Sequence, residues 1–138
     1  MFTAAQIVAH LIGDYILQSD YMAMEKTKRW LPAAIHGLVY TLPFLLFLNF
    51  GFFLDLIAFG LIAGTHAVID HYRLARYVCW MKNNMAPPFY NLPWEECQTT
   101  GYPNSKPAWM AVWLLIITDN ILHIVINALI LWACSQMA

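Results

Sequence analysis

The sequence predicts an all-α protein, specifically an integral membrane bundle of four transmembrane helices. Of its 138 residues, 61% are hydrophobic and 11% are charged, which is about half the charged share of ordinary soluble domains. Long apolar segments also contain polar residues that recur at helical spacing. A chain of this length is expected to form a single transmembrane helical domain over residues 1–138.

Four segments are predicted to span a bilayer, for which a helix needs roughly 20 predominantly apolar residues. Leu31–Phe50, Phe52 to about Tyr72, and Ala108 to about Cys134 meet this requirement. The first segment, Thr3 to about Gln18, is shorter and more polar, so an amphipathic helix lying in the membrane interface is its alternative.

The segment from about residue 79 to residue 107 is predicted to be an interfacial loop. Its prolines, its glycine and its small polar residues disfavour a long helix. The aromatic residues Phe89, Tyr90, Trp94 and Tyr102 favour contact with the membrane interface. We expect this loop to act as a lid.

The charge distribution predicts a multi-pass protein of the inner, cytoplasmic membrane. All seven basic residues follow the first or the third predicted helix, which places both basic loops in the cytoplasm. The net charge of −1 and the lack of a basic stripe argue against nucleic-acid binding. The three cysteines lack the spacing of a disulfide framework or zinc ribbon. The lipid bilayer is the expected partner, and self-association is left open.

Histidines and carboxylates within the predicted spans carry the functional signal, because buried ionisable groups in a membrane are costly. Three spans each have a histidine and an aspartate four residues apart, which places both on one helical face. The second span adds a single histidine, and all the positions fall at similar depth. The predicted metal ligands are His10, Asp14, His36, His66, Asp70, Asp119 and His123.

Imidazole and carboxylate ligands favour a divalent transition metal, zinc first and manganese or iron as alternatives, over the oxygen-preferring Mg²⁺ or Ca²⁺. Seven ligands exceed one tetrahedral site, so one or two ions are expected. Two other readings stay open: a proton relay or transport path, and polar packing between helices.

Further residues are assigned by position. Asp70 and Asp119 are candidate catalytic bases. Gln18, Lys26 and Arg73 are candidate substrate-binding residues, although the two cations could equally be membrane anchors. His71 points away from the Asp70 face and is left outside the site. Gly60 and Gly64 form a GxxxG motif, which predicts close helix packing.

The motifs "HLIGDYILQSDYMAMEK", "AAIH", "THAVIDHYR" and "TDNILH" resemble small phage and bacterial membrane proteins grouped as a domain of unknown function. The resemblance extends over essentially the whole chain. Asn120 and Arg73 depart from it, where many relatives have glutamine and lysine. The resemblance implies as family positions His10, Asp14, Gln18, Met22, Ala23, Lys26, His36, His66, Asp70, Asp119 and His123.

That family is itself similar to inner-membrane proteins under SOS control that are assigned as metal-dependent hydrolases. A more distant similarity is to the zinc phospholipase C and nuclease group. We therefore expect a membrane-embedded hydrolase acting on a phospholipid, another lipid-linked phosphate or a nucleotide-type phosphate. The alternatives are a non-enzymatic phage or bacterial protein that interferes with a host membrane or defence process, and a metal or proton transporter.

Overall fold

The computed structural model describes residues 3–85, 87 and 92–138. Within these ranges the chain forms helices and no strand, which confirms the predicted all-α class. The α-helices in chain order are α1 (Ala4–Leu11), α2 (Asp20–Glu25), α3 (Trp30–Thr41), α4 (Phe52–Tyr72), α5 (Leu74–Asn84) and α6 (Ala108–Met137).

Short non-α turns extend two of these helices. A π-helical turn at Ile12–Ile16 continues α1, and the Leu17 N–H donates to the Ile12 carbonyl five residues earlier at 3.0 Å. A 3₁₀ turn at Leu42–Leu46 continues α3. Pro43 has no N–H to donate, so the α-helical ladder cannot run through it. A further 3₁₀ turn lies at Trp94–Glu96.

The chain divides into two compact units. The first comprises the described residues within Met1–Tyr72 and His123–Ala138. Its apolar core contains Ala9, Tyr40, Phe44 and Ile62, with Ile130 and Leu131 packed against them. Within this unit α3 packs most extensively on α4.

The second unit, Arg73–Leu122, has a small core of its own built around Cys79, Tyr102 and Ala111. It begins at Arg73, whose φ of 52° is left-handed and whose Nη2 donates to the Thr99 carbonyl at 2.9 Å. Gly101 adopts a φ of 79°, and a side chain there would collide with the Arg76 carbonyl. Part of the predicted interfacial loop is helical, since α5 continues to Asn84; Phe89 and Tyr90 lie outside the described residues.

Two helices in the described part of the chain are long and apolar enough to cross a membrane, α4 with 21 residues and α6 with 30. Only 33% and 17% of their most apolar windows are buried inside the protein. A core helix of a soluble protein would be mostly buried, so uncovered apolar surface on this scale indicates membrane association.

The prediction of four transmembrane helices is therefore wrong in number. The apolar helix Trp30–Leu46 belongs to the shorter class of 10–17 residues, because α3 and the 3₁₀ turn that continues it end at Leu46. The first predicted span is shorter still, since α1 and its π-helical turn end at Ile16. Hydropathy along the sequence indicates how long an apolar segment is, but it does not show where the helix within that segment ends.

Candidate metal centre

Four buried side chains of the first unit converge on one point. Asp14 comes from the π-helical turn, His36 from α3, and His66 and Asp70 from successive turns of α4. All four are nearly inaccessible to solvent, with exposed fractions between 0% and 7%. These buried histidine and aspartate groups could hold a metal ion.

The spacing of their ligand atoms matches a small coordination shell. The two Nε2 atoms of His36 and His66 are 2.9 Å apart. Asp14 Oδ1 lies 3.2 Å from the first and 3.6 Å from the second, and Asp70 Oδ2 lies 3.3 Å and 3.0 Å from them. Ligands bound tetrahedrally at 2.0–2.2 Å would be about 3.3–3.6 Å apart. A cation at the centre would need only small adjustments of these side chains.

Two glycines allow the three segments to approach so closely. A Cβ on Gly37 would lie against the Ala63 carbonyl oxygen, so α3 can rest directly on the backbone of α4. A Cβ on Gly13 would lie 2.5 Å from the Tyr40 carbonyl oxygen. Each glycine immediately adjoins a converging residue, His36 or Asp14, and this close backbone contact brings that residue to the centre.

Lys26, a predicted substrate-binding residue, lies within the same cluster. Its Nζ lies 2.8 Å from Asp70 Oδ2, 3.2 Å from His36 Nε2 and 2.7 Å from Gln18 Oε1. The structure thus brings the predicted Gln18 and Lys26 together. One ammonium faces two carboxylates, Asp14 and Asp70, so the cluster retains attraction for a further cation.

His71 anchors the backbone beside this lysine. Its Nδ1 lies 3.0 Å from the Lys26 carbonyl oxygen, and its ring stacks on Trp30 with centroids 4.1 Å apart. His71 lies outside the converging set, as the spacing predicted. The sequence did not predict the contact between His71 and the Lys26 carbonyl, because this contact depends on the turn of the chain between α2 and α3.

The remaining predicted ligands of the first unit approach the other oxygens of the two carboxylates. His10 Nε2 lies 4.0 Å from Asp14 Oδ2, and His123 Nε2 lies 3.4 Å from Asp70 Oδ1. Both histidines are buried. Both oxygens of Asp70 therefore have nitrogen neighbours, which favours a ligand role over its predicted role as a base.

The comparison with protein families bears on the same residues. A family model described as a protein of unknown function, DUF3307, matches residues 2–138. The chain belongs to the DUF3307 family. No curated protein and no solved structure matches it. Membership in DUF3307 assigns no activity, so the arrangement of side chains carries the functional argument.

Two polar residues of this DUF3307 member support the centre and were missed from the sequence. Tyr40 OH lies 2.8 Å from His10 Nδ1 and accepts a hydrogen bond from Asn127 Nδ2 at 2.6 Å. The Tyr40 ring also stacks on His66, with centroids 3.6 Å apart. Tyr40 follows His36 by four residues and Asn127 follows His123 by four, so the spacing rule that identified the ligands could have identified both.

A Tyr40→Phe variant is expected to lose stability and to bind metal about 10–100-fold more weakly. Removing the hydroxyl leaves the buried Asn127 amide without this acceptor, at a cost of about 1–3 kcal/mol. Thermal unfolding in detergent and metal titration measure the two effects. Tyr21→Phe, at a ring that is 53% exposed, is the control and should change neither; equal behaviour of the two variants would contradict the supporting role.

Two other predicted site residues of this DUF3307 chain belong to the second unit. Asp119 lies in α6 one turn before His123 in sequence, and Arg73 donates to Thr99 as described above. Asp119 as ligand or base and Arg73 as substrate contact remain predictions.

Proposed function

We propose that this protein is a membrane-embedded, metal-dependent hydrolase that cleaves a phosphoester or phosphoanhydride. The observation that carries the proposal is the convergence of Asp14 Oδ1, His36 Nε2, His66 Nε2 and Asp70 Oδ2 in a buried cluster. Buried charges of this kind are expensive and persist where they serve a site.

The donor set favours zinc, with manganese or iron as alternatives. Two imidazole nitrogens and two carboxylate oxygens suit these metals, whereas Mg²⁺ and Ca²⁺ prefer oxygen ligands alone. A divalent cation of this kind supplies Lewis-acid chemistry, polarising a phosphoryl oxygen and activating water for attack. The spacings between the ligand atoms support a tetrahedral arrangement around such a cation.

The protein's own residues would divide the remaining work. Asp14, His36, His66 and Asp70 would hold the cation. The Lys26 ammonium is 15% exposed in its side chain, so it is placed to bind a phosphoryl oxygen from the accessible side of the cluster. Gln18 orients that ammonium through its 2.7 Å hydrogen bond. Asp119 as proton acceptor and Arg73 as a phosphate contact are the further proposed roles.

A lipid-linked phosphate is the preferred substrate class, with a nucleotide-type phosphate as the alternative. Supporting this choice, α4 is a candidate membrane span and supplies both His66 and Asp70. Chemistry carried on such a helix lies within reach of substrates anchored in the bilayer. We place the protein in the inner membrane with its basic loops in the cytoplasm, on the distribution of lysine and arginine.

The test combines elemental analysis with an activity screen on detergent-purified protein. We expect bound zinc, manganese or iron, and hydrolysis of at least one phosphate ester among phospholipids, polyprenyl phosphates and nucleotides. His66→Ala should lose both the metal and turnover, because it removes a ligand from the centre of the cluster. Asp119→Ala should lower turnover.

The control for this test is Asp20→Ala, which removes an exposed carboxylate at the start of α2. It should retain the parent's metal and turnover. A parent protein without bound metal would refute the metal centre. If the parent binds metal but His66→Ala hydrolyses the substrate as fast as the parent, the enzymatic role of the centre would be refuted.

A proton or cation path is the second candidate function, and one observation favours it. Gln6 is 2% exposed, and neither side-chain amide atom has a hydrogen-bond partner among the described residues. Gln6 precedes His10 by four residues and extends the polar face of α1 toward Thr3. Proton and metal flux into proteoliposomes separates the candidates: a path predicts flux that Gln6→Leu abolishes, whereas the hydrolase predicts none.

A further inference from the structure

A cavity of about 200 Å³ lies in the first unit, at the end where α1 begins and α6 ends. The aromatic residues Phe44, Phe47 and Phe50 line it, and Thr3 and Ser135 are among its polar residues. No residue that the structure describes in this wall carries a charge. The cavity therefore suits an uncharged ligand with a largely apolar body.

Gln6, in the first turn of α1, also lines this cavity. It is 2% exposed, and neither its Oε1 nor its Nε2 has a hydrogen-bond partner among the described residues. Buried polar groups in folded proteins nearly always have a partner, because leaving them unpaired costs free energy. Gln6 therefore needs a partner, and the cavity is the space beside it in which one can bind.

We infer that this cavity binds a neutral amphiphile, whose alkyl chain lies against the phenylalanine rings and whose hydroxyl head pairs with Gln6. A hydroxyl can donate to the Gln6 Oε1 and accept from its Nε2, so one small head group satisfies both atoms. The inference is independent of the proposed metal centre, because none of the four converging residues lines the cavity.

Water and ions suit this cavity less well than an amphiphile. The volume of about 200 Å³ would take roughly six or seven water molecules at about 30 Å³ each, and cavities with apolar walls stay dry. A proton path would require such water, so the two interpretations of Gln6 exclude each other. An ion would find no counter-charge among the described wall residues, which makes its burial costly. An alkyl chain gains free energy from burial against the same walls.

The position of the cavity favours a ligand that is dissolved in a membrane. The candidate span α6 contributes Leu131 and Ser135 to the wall. Only 17% of the most apolar window of this helix is buried inside the protein. A free long-chain alcohol and an acylglycerol both offer a neutral hydroxyl on an alkyl chain, and both partition into a bilayer.

Photolabelling of the full-length protein in phosphatidylcholine vesicles tests the inference. The photoreactive ligand is 3-azioctanol, an alcohol that carries a diazirine, and peptide mass spectrometry locates its attachment. We expect saturable labelling of residues 44–50. At equal membrane concentration, 1-octanol should compete about tenfold more strongly than octane, because only the alcohol forms hydrogen bonds with Gln6. Octanoate should compete weakly, since the described wall offers its charge no partner.

A second competition identifies the source of the hydroxyl. Stronger competition by monooctanoylglycerol than by 1-octanol would identify an acylglycerol as the ligand, and weaker competition would identify a free alcohol. Both outcomes support the site.

Gln6→Leu should abolish the preference, so that octane and 1-octanol compete equally. Gln98→Leu is the matched control, because it makes the same change at an exposed glutamine of the second unit, and it should retain the preference. Equal competition by octane and 1-octanol in the parent would overturn the inference, as would the absence of saturable labelling at residues 44–50. These results on the parent decide the matter even if Gln6→Leu fails to fold.

Discussion

An Asp70→Asn variant is expected to lose its bound metal and to be destabilised by about 3–5 kcal/mol. Asp70 is 5% exposed, and its Oδ2 forms the 2.8 Å ion pair with Lys26. Neutralising Asp70 leaves the partly buried Lys26 ammonium without this counter-charge. The substitution also removes the anionic ligand that lies beside the two converging histidines. Thermal unfolding in detergent and elemental analysis measure the two losses.

Two further variants separate the causes. Asp20→Asn makes the same chemical change at an exposed carboxylate and should leave both quantities near the parent values. Adding Lys26→Met to Asp70→Asn removes both charges of the pair, so stability should recover in large part while metal binding stays lost. A double variant as unstable as the single one would show that the ion pair is not the source of the effect.

A Gly37→Ala variant is expected to be destabilised by about 1–3 kcal/mol, against the usual trend for this substitution. Within a helix, replacing glycine by alanine normally stabilises the helix by about 0.8–1.0 kcal/mol. The new Cβ would press on the Ala63 carbonyl oxygen and lie 3.3 Å from the Ala67 Cβ. Relief of that contact would move α3 from α4 and separate His36 from His66, so metal affinity should fall as well.

Gly60→Ala is the matched control, since a Cβ at Gly60 has no neighbour within 4 Å. It should follow the usual trend and gain stability. Opposite signs for the two substitutions in thermal unfolding are the expected result. If Gly37→Ala is as stable as Gly60→Ala, the close approach of α3 to α4 is not as the structure has it.

These glycines also illustrate what the sequence could and could not predict. The GxxxG spacing of Gly60 and Gly64 predicted close packing, yet both positions face open space in the described structure. The close approaches occur at Gly13 and Gly37, which no motif marks. Spacing shows which residues share a face, but the partner of that face depends on tertiary packing.

The candidate site was more predictable than the membrane topology. The four-residue spacing depends only on helical geometry, so it correctly paired His66 with Asp70 and His10 with Asp14 on their faces. The depth of Lys26 was not predictable in the same way. Its flexible side chain reaches the cluster because the chain turns after α2, and no local pattern records that turn.

The π-helical turn at Ile12–Ile16 makes the orientation of His10 relative to Asp14 sensitive to a deletion between them. Such a turn holds one residue more than the α-helix would place over the same rise. Deleting Gly13 would let the regular α-helix resume, and Asp14 would then follow His10 by three residues instead of four. Because each α-helical residue turns the chain by about 100°, the angular offset between the two side chains would change. The extra residue of the π-helical turn thus sets the angular offset between His10, which lies in α1, and Asp14, which lies in the turn.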